Sequence, residues 1–112
     1  MADKRIVRRL KKRIALRFGS DEPSRLAFTE DISVDGLFIK TTNISRPGSL
    51  IRVVMELDDG TVVELDGRVM WAKKVPPQMI HLVRKSGMGV RIVRFVSGAE
   101  AYGSLCAEAV LH

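Results

Sequence analysis

Two short stretches carry side chains whose types and spacing suit the recognition of phosphate and of a purine edge. The first is Arg8-Arg9-Leu10-Lys11-Lys12-Arg13, a run of fixed positive charge. The second, one strand's length further on, is Asp31-Ile32-Ser33-Val34-Asp35-Gly36. A guanidinium plane bonds phosphate bidentately, stacks on a purine face, or donates to the O6 and N7 acceptors of guanine. A carboxylate accepts from the N1–H and N2 amino donors of the same base, and a hydroxyl gives or takes a hydrogen bond with phosphate. Arg9 and Arg13, four apart, suit one side of a helical turn or the two flanks of a bend. Asp31 and Ser33, two apart, project to one face of a strand. Gly36 falls where the chain must bend or admit a ligand to its backbone. Each stretch also has a plainer reading, as a solvated basic tail and as an ordinary strand-end turn.

Charge bookkeeping separates the first stretch from the rest of the chain. The net charge of +6 over 112 residues is not spread evenly. Residues 1–17 hold eight Lys and Arg against Asp3 alone, whereas the other 95 hold eleven Lys and Arg against twelve Asp and Glu. The basic excess therefore belongs to an arm, about residues 1–12, and not to the body. Such an arm attracts nucleic acid, an anionic membrane or a small phosphorylated ligand, and charge alone does not choose among them.

The elements that must position these groups read as strands. Ile51, Val53, Met55 and Leu57 alternate with Arg52, Val54 and Glu56, and Asp58-Asp59-Gly60 then turns the chain through the positive φ that Asp-Gly tolerates. On the return strand Val63, Leu65, Gly67, Val69 and Trp71 face inward, with Glu64, Asp66 and Arg68 outward, so Trp71 reads as core. Residues 13–18, 26–33, 37–42 and 87–95 read as further strands, and Ser45-Arg46-Pro47-Gly48 as a loop. Pro76-Pro77 ends strand character, and residues 78–85 suit a short helix or ordered loop. Ser97 and Glu100 have the spacing of a capping box, and beyond them Tyr102, Leu105, Cys106, Ala109 and Val110 form one apolar stripe, predicting a helix over about 97–111. Six or so antiparallel strands of this length close most readily into a small barrel, because closure removes exposed edges. The fold class is thus all-β: one six-stranded antiparallel barrel over residues 13–112 with a C-terminal helix.

Much of the remaining chemistry is excluded. His81 and His112 are the two histidines and Cys106 the one cysteine, lying on an apolar helical stripe, so no metal-ligand spacing exists and no nucleophile–base arrangement assembles. No Gly-rich loop opens a helix in the manner of a nucleotide-binding turn. Asp58, Asp59, Glu64 and Asp66 read as turn residues and the wet face of a hairpin, not as an acid pair. An enzyme is disfavoured, and no cofactor is implied. No apolar run approaches the roughly 20 residues needed to span a bilayer, and Met1-Ala2-Asp3-Lys4 is not followed by the apolar stretch of a secretory signal. With one cysteine, the cytoplasm is the expected compartment.

Together the two stretches resemble those of the bacterial PilZ domain family. The resemblance rests on Arg9-x-x-x-Arg13, preceded by Arg8 and followed at the family's interval by Asp31-x-Ser33-x-x-Gly36. It extends through Leu37 to Thr41, the Gly48 loop, Gly67-Arg68-Val69-Met70-Trp71 and Gly87-Met88-Gly89-Val90. It implies a six-stranded barrel with a C-terminal helix, and a receptor for the bacterial second messenger cyclic di-GMP. By resemblance, Arg9 and Arg13 grip guanine edges and phosphates, and Arg8 adds stacking or a phosphate contact. Asp31 accepts from a guanine, Ser33 meets phosphate or base, and Gly36 lets the turn close on the ligand. Asp35 departs from the small residue common there and sets an extra anion beside a dianionic ligand. The implied mechanism is an arm that orders on binding and presents a new surface to a protein effector. Two alternatives stand beside it. One is a PilZ-like interaction module that does not bind the nucleotide. The other is a small-barrel binder of DNA or RNA, disfavoured by a slightly acidic body with few aromatic residues for base stacking.

Overall fold

In a computed structural model of the chain, residues 9–75, 78 and 86–111 are described. They form seven strands, β1 (Leu10–Lys11), β2 (Ala15–Gly19), β3 (Arg25–Ser33), β4 (Gly36–Lys40), β5 (Leu50–Glu56), β6 (Val62–Lys73) and β7 (Gly87–Ser97), and one helix, α1 (Ala99–Leu111). All pairings are antiparallel. Strands β2 to β7 close in the order β3-β2-β5-β6-β7-β4 with β4 returning to β3, and β1 adds a short rung on β3 beyond the end of β2. This is the expected six-stranded barrel with its C-terminal helix.

The alternation that defines each strand also fills the interior. Leu16 and Phe18, Leu37 and Ile39, Ile51, Val53 and Met55, Val63, Leu65 and Val69, and Met88 and Val90 are all buried. Helix α1 packs on this core through buried Tyr102 and Cys106, with Leu105 partly buried and Phe95 tilted against the Tyr102 ring, centroids 5.4 Å apart. Burial pushes both the Tyr102 hydroxyl and the Cys106 thiol above their ordinary pKa values. The β5–β6 hairpin turns as expected, with Gly60 at φ +88° and the Leu57 amide donating to the Thr61 carbonyl across the loop.

Two expectations are corrected. Helix α1 begins at Ala99, not at residue 97 with a Ser97–Glu100 capping box. Ser97 completes β7 opposite Glu64, and Gly98, at φ +82°, turns the chain and offers its carbonyl to the Tyr102 amide. Ser97 is held in the ladder and so cannot serve as the cap. Trp71, expected inside, is half exposed at 51%. The β6–β7 register slips between Val69, opposite Val90, and Trp71, opposite Gly89. The extra residue, Met70, reverses the alternation and turns Trp71 out. The Pro76-Pro77 segment and residues 79–85, expected as a short helix or loop, lie outside the described residues.

Candidate functional site

Arg9, just before β1, extends along the outside of β3, where Leu10 and Lys11 pair with Ile32 and Asp31. Its Nε and one terminal nitrogen donate to the Asp31 Oδ1 at 2.8 and 2.6 Å. Asp31 faces outward because β3 carries a register shift between Thr29 and Asp31, with Glu30 the extra residue. The turn from β3 into β4 folds over Ser33. Ser33 is fully buried, its hydroxyl 2.9 Å from an Asp35 carboxylate oxygen and 3.3 Å from the Gly36 carbonyl. The Tyr102 hydroxyl reaches the same turn from α1, 2.7 Å from the Ser33 carbonyl and 3.1 Å from that of Gly36.

Gly36 has no positive φ, and its lack of a side chain answers a different need. A Cβ there would meet the Val90 carbonyl oxygen at 2.6 Å, so the close pairing of β4 on β7 excludes any larger residue.

Arg9, Asp31, Asp35 and Gly36 share the rim of an open cavity of about 650 Å³. The lining continues from Asp31 across β4, β7 and β6 through Phe38, Gly89, Trp71 and Met70, with Arg91 beside Gly36. Trp71 stacks on Phe38, ring centroids 5.4 Å apart and planes 25° off parallel. A Cβ on Gly89 would collide with the Trp71 indole, so the ring rests directly on the β7 backbone. The cavity therefore joins two arginines, the three carboxylates Glu30, Asp31 and Asp35, and a half-exposed indole, groups able to bond phosphate and a planar base.

The expected site residues fall into three groups. Arg9, Asp31 and Gly36 meet at the cavity. Ser33 lies beneath the turn with its hydroxyl engaged, and Arg13 is not a lining residue, its guanidinium sitting 4.0 Å above the Phe28 ring. Arg8 is outside the described residues. Trp71, Phe38 and Arg91 are cavity residues that sequence reasoning missed. A readable signal was present in Gly89, which removes a side chain where Trp71 crosses β7. Among the described residues, no group of three His, Cys, Asp or Glu side chains is placed to hold a metal ion. No described helix is long and apolar enough to cross a membrane.

Residues 3–101 match the family model described as PilZ domain. The chain belongs to the PilZ domain family. The Bacillus subtilis inhibitor of motility, MotI/DgrA, is a similar solved structure, with TM-score 0.75 and 16% identity over 98% of this chain and 53% of that one. This PilZ chain thus spans about half of the Bacillus protein. The PilZ domain of CeSA from a cellulose-synthesizing bacterium is also similar, with TM-score 0.58 and 18% identity over 94% of this chain and 99% of that one. No curated protein matches significantly. At these identities the two structures share the PilZ fold with this chain, and the details of its cavity are its own.

Proposed function

We propose that this PilZ domain is a receptor for cyclic di-GMP that relays occupancy to a protein effector, with Arg9, Arg13, Asp31 and Gly36 forming the ligand site and Arg8 extending it. The observation that carries the reading is the meeting of Arg9 and Asp31 with an exposed Trp71 around one cavity in a PilZ fold. Trp71 offers a face on which a guanine stacks, and Asp31 an acceptor for its Watson–Crick edge. Arg9 and Arg91 supply positive charge for the phosphodiesters.

The internal contacts of both arginines are weak enough to be exchanged for ligand contacts. The Arg9–Asp31 pair, with Arg9 half exposed, is worth at most about 1 kcal/mol. The Arg13–Phe28 contact at an exposed site is worth about 0.5–1 kcal/mol. Both internal contacts are weak, and a phosphodiester offers each guanidinium charge-assisted hydrogen bonds of the same kind as Asp31, so a ligand can compete for them. Isothermal titration of the protein with cyclic di-GMP tests the reading. Binding is expected, and Arg9→Ala and Arg13→Ala each weaken it by roughly 10- to 100-fold. No heat at physiological salt rejects the receptor, and full affinity in both variants rejects the clamp.

A second reading is a PilZ module that works through protein partners without the nucleotide. The burial of Ser33 and the seating of Arg13 on Phe28 instead of in the cavity lining favour it. The same titration separates the two.

A further inference from the structure

We propose that Thr29 is the positioning residue for Arg13, fixing the backbone from which that arginine reaches the ligand. The inference rests on the cyclic di-GMP reading for its effect on affinity, but its geometry is independent of any ligand.

β1 and β2 both pair with β3, yet the ladder is interrupted between them at residues 12–14. The interruption falls where β3 has its own irregularity at Glu30. Two strands losing register at one place would leave polar groups unpaired, and the Thr29 side chain takes their place. Its hydroxyl donates to the Lys12 carbonyl at 2.6 Å and accepts from the Ile14 amide at 2.9 Å. The Thr29 amide donates to the Ile14 carbonyl at 3.0 Å, and the Lys12 amide to the Glu30 carbonyl at 3.1 Å. These four bonds bracket Arg13 on both sides. Thr29 is itself buried at 2% exposure, and its bond from the Ile14 amide is shielded from water.

Arg13 thereby leaves the barrel from a fixed point and in a fixed direction. Its guanidinium can leave the Phe28 ring by side-chain rotation while the backbone at Lys12 and Ile14 stays fixed. Preorganisation of this kind raises affinity without adding a contact. Only a hydroxyl on a β-branched or serine side chain gives and takes a hydrogen bond here. Valine matches the shape of threonine and can do neither.

Titration with cyclic di-GMP of the wild type, Thr29→Val and Thr29→Ser, each with and without Arg13→Ala, tests the assignment. Thr29→Val is expected to weaken binding about tenfold when Arg13 is present and by less than about twofold when it is absent. Thr29→Ser keeps near-normal affinity. Unchanged affinity in Thr29→Val overturns the proposal, as does an equal loss with and without Arg13, which marks general destabilisation. Should Thr29→Val not fold, Thr29→Ala gives the same comparison without a second methyl against the Lys12 carbonyl. Hydrogen exchange at the Ile14 amide separates this inference from the receptor reading. Exchange quickens in Thr29→Val and stays slow in Thr29→Ser whether or not the nucleotide binds, and unchanged exchange overturns the pin itself. Absence of nucleotide binding by the wild type rejects the receptor and, with it, the role of Thr29 in affinity.

Discussion

The β5–β6 hairpin and the rim formed by β1, the β3–β4 turn and the far end of β6 use the same kind of alternating strand, and they treat charge in opposite ways. On the hairpin, β5 and β6 pair without a break from Leu50–Arg68 to Glu56–Val62. The outward charges answer one another across strands, Arg52 with Glu64 and Asp66, and Arg94 with Asp66 at 2.9 Å. At the rim the alternation fails twice, at Glu30 and at Met70. Each slip turns outward a residue that binding would use, Asp31 in one case and Trp71 in the other. β6 also slips against β7 at Glu64–Leu65 and at Asp66–Gly67, where the charges still pair with one another, so what sets the rim apart is that its slips border an open cavity. β-bulges gather beside functional sites.

The contrast is tested most strongly at Trp71, the single tryptophan of the chain. About half of it is buried, stacked on Phe38 and resting on the β7 backbone at Gly89, so truncation removes packing as well as the cavity surface. Trp71→Ala is expected to weaken cyclic di-GMP binding about tenfold, from a stacking contribution of roughly 1–3 kcal/mol, and to lower the melting temperature by several degrees through the lost burial and the lost Phe38 contact. Titration calorimetry and thermal melts measure the two quantities. In the wild type, intrinsic fluorescence changes on saturation because the only indole lies at the site. A ligand that binds without changing that fluorescence sits elsewhere on the barrel.

A smaller effect is expected where the rim meets the core. The Tyr102 hydroxyl, buried with its ring, satisfies the Ser33 carbonyl beneath the β3–β4 turn. Tyr102→Phe keeps the ring against Phe95 and removes that donor, which costs about 1 kcal/mol of stability. Chemical denaturation measures it. The loss concentrates at the turn, so amide exchange around Gly36 quickens while the hairpin amides Val53 and Leu65 keep wild-type protection. Uniform loss of protection would mean that the rim and the hairpin open as one unit.

The two regions were also unequally legible in sequence. The hairpin was open to reading because period two holds from Ile51 to Val69 and Asp59-Gly60 supplies the turn. The arginine and Asp31 motifs were legible as residue types, and Arg9, Asp31 and Gly36 do meet. What alternation misplaces is Trp71, because the slip at Met70 depends on pairing with β7 and leaves no mark in the β6 sequence itself. Ser33 shows the converse. Spacing sets it beside Asp31 as a ligand contact, but the turn folds over it and Asp35 and Gly36 take its hydroxyl. The helix start fails for a related reason. Ser97 has the composition of a cap, and β7 claims it first.

The smallest effect belongs to the hairpin and bounds the comparison from the other side. Hydrogen bonding from Arg52, with the added charge of Arg94, holds the Asp66 carboxyl below its ordinary pKa of 3.8. A carboxyl whose pKa is lowered by folding contributes stability at pH values above its unfolded pKa, and that contribution disappears as pH falls through the lowered folded value. Asp66→Asn is therefore expected to melt slightly below the wild type at neutral pH, by a few degrees at most since the network is partly exposed and screened. The gap closes below about pH 4, and it also narrows in high salt. Melts from pH 7 to pH 2 follow it, and a gap that persists in acid assigns Asp66 a packing role instead. Asp66 lies on the hairpin and away from the cavity, so its variant binds cyclic di-GMP within about twofold of the wild type, whereas Arg9→Ala does not. If Asp66→Asn loses affinity as Arg9→Ala does, the charge of the hairpin reaches the rim, and the division between a self-satisfied wall and an open one fails.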